Sequence, residues 1–213
     1  MRTVRAILHG MSSGKLSFVL RHARTALVAG SMVGTLGSMT AIACSSNTLP
    51  NPRVYLSAFL VPGTNPPVGC GIVPTAGGWV IIGDPTQSVN NGDSQGGSAV
   101  SVSCTVSSSG DGSFSVNSSA TLEGLNGGSV TITGTFLPSG KSTNIRGHFQ
   151  RGDTGSFDEV DCTADYSANP SSMGVASGRV WATLTCPMVT KTDTTPARVC
   201  QGTAEFRFEN CSQ

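Results

Sequence analysis

The sequence predicts an all-β fold: an antiparallel β-sandwich or barrel-like domain with three disulfides, preceded by an N-terminal signal segment. Three observations predict it. From Ser98 onward, apolar residues alternate with Ser and Thr, the period of a strand with one buried face. Gly-rich punctuation separates these stretches at the spacing expected of a sandwich or barrel. Six cysteines follow Cys44, an even number that suits disulfides in an exported domain. No long helical period survives after Cys44.

The elements follow in chain order. Ser45–Pro52 (SSNTLPNP) has no apolar pattern and reads as a tether, so the domain proper spans 53–213. Arg53–Val61 (RVYLSAFLV) is the first expected strand. Pro62, Pro66, Pro67 and Pro74 make the next stretch irregular, because proline lacks a ladder donor. Gly78–Ile82 (GWVII) is a short strand with Trp79 in the core, ended by Gly83-Asp84-Pro85. Thr86–Gly97 reads as a polar loop.

The regular part begins there. Val100, Val102, Cys104 and Val106 form one inward row, and Phe114, Val116, Ala120 and Leu122 the next. Val130, Ile132 and Phe136 follow, then Ile145, Gly147 and Phe149. Val160, Cys162, Ala164 and Tyr166 form a further row, then Val180, Ala182, Leu184 and Cys186, and finally Ala204, Phe206 and Phe208. Gly110-Asp111-Gly112 and Asn126-Gly127-Gly128 supply the positive-φ residues of tight connections. Short connections make most pairings antiparallel. Aromatic residues are few, so Cys70, Cys104, Cys162, Cys186, Cys200 and Cys211 are expected to staple a lean core. Cys186 and Cys200 flank a polar loop with Pro187 and Pro196 and are the first pair to expect. Cys70–Cys104 and Cys162–Cys211 are what then remains.

Residues 1–44 have a different character. Arg2, Arg5, Lys15, Arg21 and Arg24 precede an uncharged run, TALVAGSMVGTLGSMTAIAC, ending at Cys44. A basic region, an apolar region and small residues at the cut mark a secretory signal. Either Met1 or Met11 serves as the start. Gly30, Gly34 and Gly37 dilute the apolar run and disfavour a retained transmembrane helix. Ala41-Ile42-Ala43-Cys44, followed by Ser45-Ser46, resembles the lipobox of bacterial lipoproteins, with Ala41 where that family favours Leu. The resemblance covers the signal alone. It implies diacylglycerol and palmitate-type acylation on Cys44, a membrane-lipid partner, and, from the serine after the cysteine, passage to the outer membrane. Cleavage without acylation would release a soluble secreted protein.

Removing residues 1–44 leaves eight basic and twelve acidic residues, a net charge of −4. No basic patch points to nucleic acid. Gly92-Asp93-Ser94-Gln95-Gly96-Gly97 resembles the sequence around a trypsin-like nucleophile with Gln95 inserted, and is read as a polar loop. His148 is the only histidine after the signal and is expected outward with Asn144 and Arg146. One histidine does not build a multi-His zinc site. Asp153, Asp158, Glu159, Asp161 and Asp165 concentrate charge without the ligand spacing of an EF-hand. Arg151-Gly152-Asp153 spells an integrin tripeptide in a Gly-rich turn.

Trp181 is expected on the outward row with Arg179, as a candidate contact for a glycan or an envelope protein. No catalytic constellation, metal site or cofactor is expected. The sequence therefore points to a non-catalytic, lipid-anchored structural or binding module of the cell envelope. The alternatives are a carbohydrate-binding module using Trp181, or a small hydrolase drawing two carboxylates from the Asp153–Asp165 group.

Overall fold

The structure, a computed structural model, describes residues 50–63, 69–72, 78–124 and 127–213. The signal, Cys44 and residues 45–49 of the tether lie outside the described residues, as do Pro66, Pro67, Pro74 and Asn126. The described residues contain twelve strands. They are β1 (Arg53–Val61), β2 (Val80–Ile82), β3 (Val89–Asn90), β4 (Ser94–Gln95), β5 (Ser98–Ser108), β6 (Phe114–Leu122), β7 (Gly128–Phe136), β8 (Ser142–Arg151), β9 (Gly155–Asp165), β10 (Gly174–Ala176), β11 (Arg179–Lys191) and β12 (Arg198–Glu209). Ten pair in the order β2-β1-β12-β11-β9-β8-β7-β6-β5-β4, with β3 beside β1 and β10 beside β11, all antiparallel, as a nearly closed barrel-like sheet.

The period-two pattern explains the wall. Val100, Val102, Cys104 and Val106 of β5 turn inward, and Val116, Ser118 and Ala120 of β6 sit beside them. Val130, Ile132 and Phe136 continue the row on β7. Phe149, Phe206 and Phe208 fill the other side. Phe136 meets Phe206 edge-on with ring centroids 6.3 Å apart. Edge-to-face contact matches the positive ring edge to the negative face of its neighbour. The outward residues Ser101, Ser103, Thr105, Asn117, Ser119, Thr131 and Thr133 are exposed or half-buried, so the wall is apolar inside and polar outside.

A barrel must protect its free edges. Here the Thr86–Gly97 segment, expected to be a plain loop, does so. Val89 and Asn90 pair with Val54 and Arg53, while Ser94 and Gln95 pair with Ala99 and Ser98. Asn91 donates its amide to Pro52 O and accepts from Val102 N through Oδ1. The segment thus bridges β1 and β5. The chain end covers the rest of the β5 edge: Val106 N donates to Ser212 O, and Ser212 N donates to Cys104 O.

The disulfides are Cys70–Cys200, Cys104–Cys211 and Cys162–Cys186. The six cysteines are paired as expected in number, but the connectivity corrects all three expected pairs. The expectation ended a strand at Cys186. In fact β11 runs on to Lys191 through an irregularity between Cys186 and Val189, which puts Cys186 opposite Gly202 and Cys200 opposite Val189. Cys186 then faces Cys162 on β9, across the neighbouring ladder. Cys104–Cys211 holds the chain end on β5, and Cys70–Cys200 ties the proline-rich segment to β12. In the chain-entropy account, closed loops of these lengths contribute about 3–5 kcal/mol each. Three disulfides belong to an oxidising, exported environment.

β9 holds a second correction. Val160 was expected inward and is instead 50% exposed, while Phe157 is buried. The register with β8 shifts between Ile145 and Gly147, where Val160 and Asp161 of β9 stand opposite the single residue Arg146 of β8. This β-bulge turns Val160 and Asp161 out before the inward row resumes at Cys162. Glu159 stabilises it: Oε1 accepts from Val160 N at 2.9 Å and Asp161 N at 3.0 Å. Its Oε2 accepts from Met188 N at 3.1 Å, inside the irregularity of β11. One carboxylate therefore satisfies amides that two interrupted ladders leave free.

Candidate functional site

The strands alternate in direction around the barrel, so the starts of β1, β8 and β11 share one end with the ends of β7, β9 and β12. At that end, the β7–β8 turn and the segment from β9 to β10 flank an open cleft of about 420 Å³. Pro138, Ser139, Gly140 and Lys141 line one side, and Asp165, Tyr166, Ser167, Pro170 and Met173 the other. Tyr166 and Met173 are buried, while Pro138, Lys141 and Pro170 are exposed. The volume lies within the range of small-ligand sites, about 300–1,000 Å³.

The cleft is held open by hydrogen bonds away from its mouth. Tyr166 Oη donates to Leu137 O at 2.7 Å, and Leu137 N donates to Ser142 Oγ at 2.9 Å. Met173 N donates to Asn169 O at 2.8 Å. Burial pushes the Tyr166 phenol up, so it stays protonated as a donor. Asp165 Oδ1 accepts from Ser167 Oγ at 2.7 Å and Ser167 N at 3.0 Å. These bonds hold the Asp165 carboxyl below the usual carboxylate range, with a smaller contribution from Lys141. Asp165 Oδ2 faces Lys141 Nζ at 3.8 Å, an ion pair too long for a hydrogen bond.

Trp181 turns outward and is half-buried. The register sets it in a row with Tyr55, Arg207 and Gly174. The Arg207 guanidinium lies 4.9 Å from the indole centroid, and Trp181 Nε1 donates to Glu205 Oε1 at 3.3 Å. Arg207 is itself held by Ser88 Oγ and Pro85 O. A segment that reads as a loop therefore folds over this part of the outer face and buries Tyr55, whose phenol is pushed up by burial and by Glu205. Arg179 is exposed beside Trp181.

The five carboxylates of the Asp153–Asp165 group are spread over distinct roles. Asp153 binds Arg151, which lies over the buried Trp79 ring at 5.2 Å and donates to Trp79 O. That contact holds the Asp153 carboxyl below its usual range. Asp158 meets His148 Nδ1 at 2.7 Å. Glu159 caps the two bulges, Asp161 is exposed, and Asp165 borders the cleft. Among the described residues, no group of three His, Cys, Asp or Glu side chains is arranged to hold a metal ion.

Ser94 and Gln95 belong to the closing segment. The Gln95 side chain accepts from Gly83 N and donates to Ile81 O. The cleft residues Pro138, Lys141, Pro170 and Met173 escaped the sequence analysis because two segments far apart in the chain supply them. Tyr166 was expected inward, and it is buried. No protein-family model, curated protein or solved structure matches this chain.

Proposed function

We propose that the chain is an exported, non-catalytic module of the cell envelope with a structural or binding role, anchored by lipid on Cys44 and directed to the outer membrane. One observation carries this reading: the three disulfides account for all six cysteines that follow Cys44. In an oxidising compartment a spare thiol is a liability, and acylation would consume it. The Ala41-Ile42-Ala43-Cys44 sequence supports that chemistry. Several acyl chains give stable anchoring, since each buried methylene contributes about 0.8 kcal/mol and a single chain is marginal.

The tether length fits a surface module. Asn51 Nδ2 donates to Asn91 O, and Asn210 Nδ2 donates to Asn51 O, so the chain is held to the barrel from Asn51 onward. Six residues, 45–50, separate Cys44 from that point, a contour of about 20 Å at most. An acylated Cys44 would keep the domain close to the membrane surface.

The test is the intact mass of the protein recovered from its host, with and without reduction. Acyl mass on an N-terminal Cys44, with no alkylatable thiol before reduction, is expected. An unmodified Cys44 would overturn the anchor. A carbohydrate-binding role through Trp181 and Arg179 is the second reading, favoured by a half-buried indole on the outer face. Asp153, Asp158 and Glu159 serve contacts within the fold, which supports a module over a hydrolase drawing on that group.

A further inference from the structure

We propose that the cleft between the β7–β8 turn and the β9–β10 segment is a binding site for a neutral sugar ring, with Lys141 and Asp165 reading adjacent hydroxyls. The proposal rests on the binding-module reading of the domain and not on its anchor.

Charge decides the ligand class. Lys141 and Asp165 stand side by side at the mouth, 3.8 Å apart, with no direct hydrogen bond between them. Lys141 is 70% exposed and Asp165 26%, so both are reachable from solvent. The pair is neutral overall. An anion would meet Asp165, and a cation would meet Lys141. A neighbouring pair of hydroxyls suits both: one donates to Asp165 Oδ2, and the other accepts from Lys141 Nζ. Hydrogen bonds to ionised groups are the stronger kind, and Asp165 Oδ1 is already committed to Ser167.

Shape agrees. Tyr166 and Met173 offer an apolar inner side, with Pro138 and Pro170 nearer the solvent. A pyranose ring has an apolar face of C–H groups and a polar rim, which matches an apolar base under a polar mouth. The hydrogen bonds that link Tyr166 to Leu137 and Met173 to Asn169 keep the cleft formed before a ligand arrives. Preformed sites avoid part of the ordering cost of binding. At Trp181, in contrast, Arg207 already occupies a face of the indole and Glu205 its N–H.

The chain offers a selective reporter. Met173 lines the cleft and is buried, while Met188 is 61% exposed on β11 and does not line it. The protein recovered from its host, labelled with methyl-¹³C methionine, is titrated with maltose, cellobiose, lactose and chitobiose. Met173→Leu assigns the signal. Expected is a saturable shift of the Met173 methyl with at least one disaccharide, a still Met188, and binding weakened about tenfold in Lys141→Met, as suits a lost charge-assisted contact. A Met173 signal that moves with none of the four at millimolar concentration overturns the site. So does a shift that Lys141→Met leaves unchanged, or a stronger shift with the anionic dye anilinonaphthalene sulfonate than with any sugar. The intact-mass result stands apart from all of these, so a failed sugar site and a failed anchor are told apart.

Discussion

The two halves of the barrel wall obey the same alternation and differ in what interrupts it. From β5 to β7 the ladders run without a register shift, and the outward face is Ser, Thr and Asn. From β8 to β12 the ladders shift three times, at Ser142/Ile145, Ile145/Gly147 and Cys186/Val189. That half carries the Cys162–Cys186 bridge, the Glu159 cap, the Trp181–Arg207 stack and one side of the cleft. A regular ladder makes a uniform wall. Each interruption frees backbone groups and re-aims side chains, and these must find specific partners. Specific chemistry therefore gathers in the irregular half.

Removing one buried ring in each half should show that both share a single core. Phe149→Ala on β8 and Phe136→Ala on β7 should each cost about 3–5 kcal/mol in urea unfolding, because both rings are fully buried. A loss confined to one of them would mean that the halves unfold separately.

The next effect separates the halves. Gly147 faces the Cys162–Cys186 bridge, and an added Cβ would lie 2.9 Å from Cys186 Sγ and 3.1 Å from Cys162 Sγ. Gly147→Ala should destabilise by about 1–3 kcal/mol through overpacking. In a Cys162→Ala/Cys186→Ala background that penalty should shrink, because the sulfurs it meets are gone. Equal penalties in both backgrounds would show that the glycine serves something other than the bridge.

A smaller effect belongs to Glu159. Glu159→Leu should cost about 1–2 kcal/mol, since its three amide donors lose their acceptor. Amide exchange should accelerate at Val160, Asp161 and Met188 and stay unchanged in β6. On the regular outer face, Ser103→Ala and Thr133→Ala should stay within about 0.5 kcal/mol of the parent.

Acid gives the smallest contrast. Asp111 in the β5–β6 turn and Asp165 beside the cleft are each held below the ordinary carboxylate value, first by a serine hydroxyl and then by the amide of the same serine. A carboxylate whose folded pKa is depressed stabilises the protein above its unfolded value of about 3.9, and that contribution is lost as pH falls through the folded value. Unfolding midpoints should therefore drop below about pH 4. Asp111→Asn and Asp165→Asn should each flatten that limb. An acid limb that neither substitution alters would assign it to other carboxylates.

The halves also differ in what the sequence disclosed. In β5, β6 and β7 the two-residue period keeps its phase, interrupted only by Ser118 and Gly134 on the inward rows, so reading every second residue found those rows. The same rule on β9 placed Val160 inside, because a bulge advances the count by one and no single residue announces it. The disulfide pairs failed for a related reason. Which cysteines meet depends on register across strands, and the continuation of β11 past Pro187 moved Cys186 from a strand end to a strand interior. Gln95, in a segment that reads as a Gly-rich loop, closes onto β2 through contacts fourteen residues or fewer away.

The sequence by itself determined the all-β class, the Arg53–Val61 first strand, most of the inward rows and the parity of the cysteines. These are local properties: a two-residue period, turn residues at their ends, and a count. Only the tertiary structure decided the bridging of β1 and β5 by the 86–97 segment, the three disulfide partners, the double role of Glu159 and the cleft. Each of these joins residues distant in the chain, and its geometry follows from strand register, which is set by the whole core packing at once.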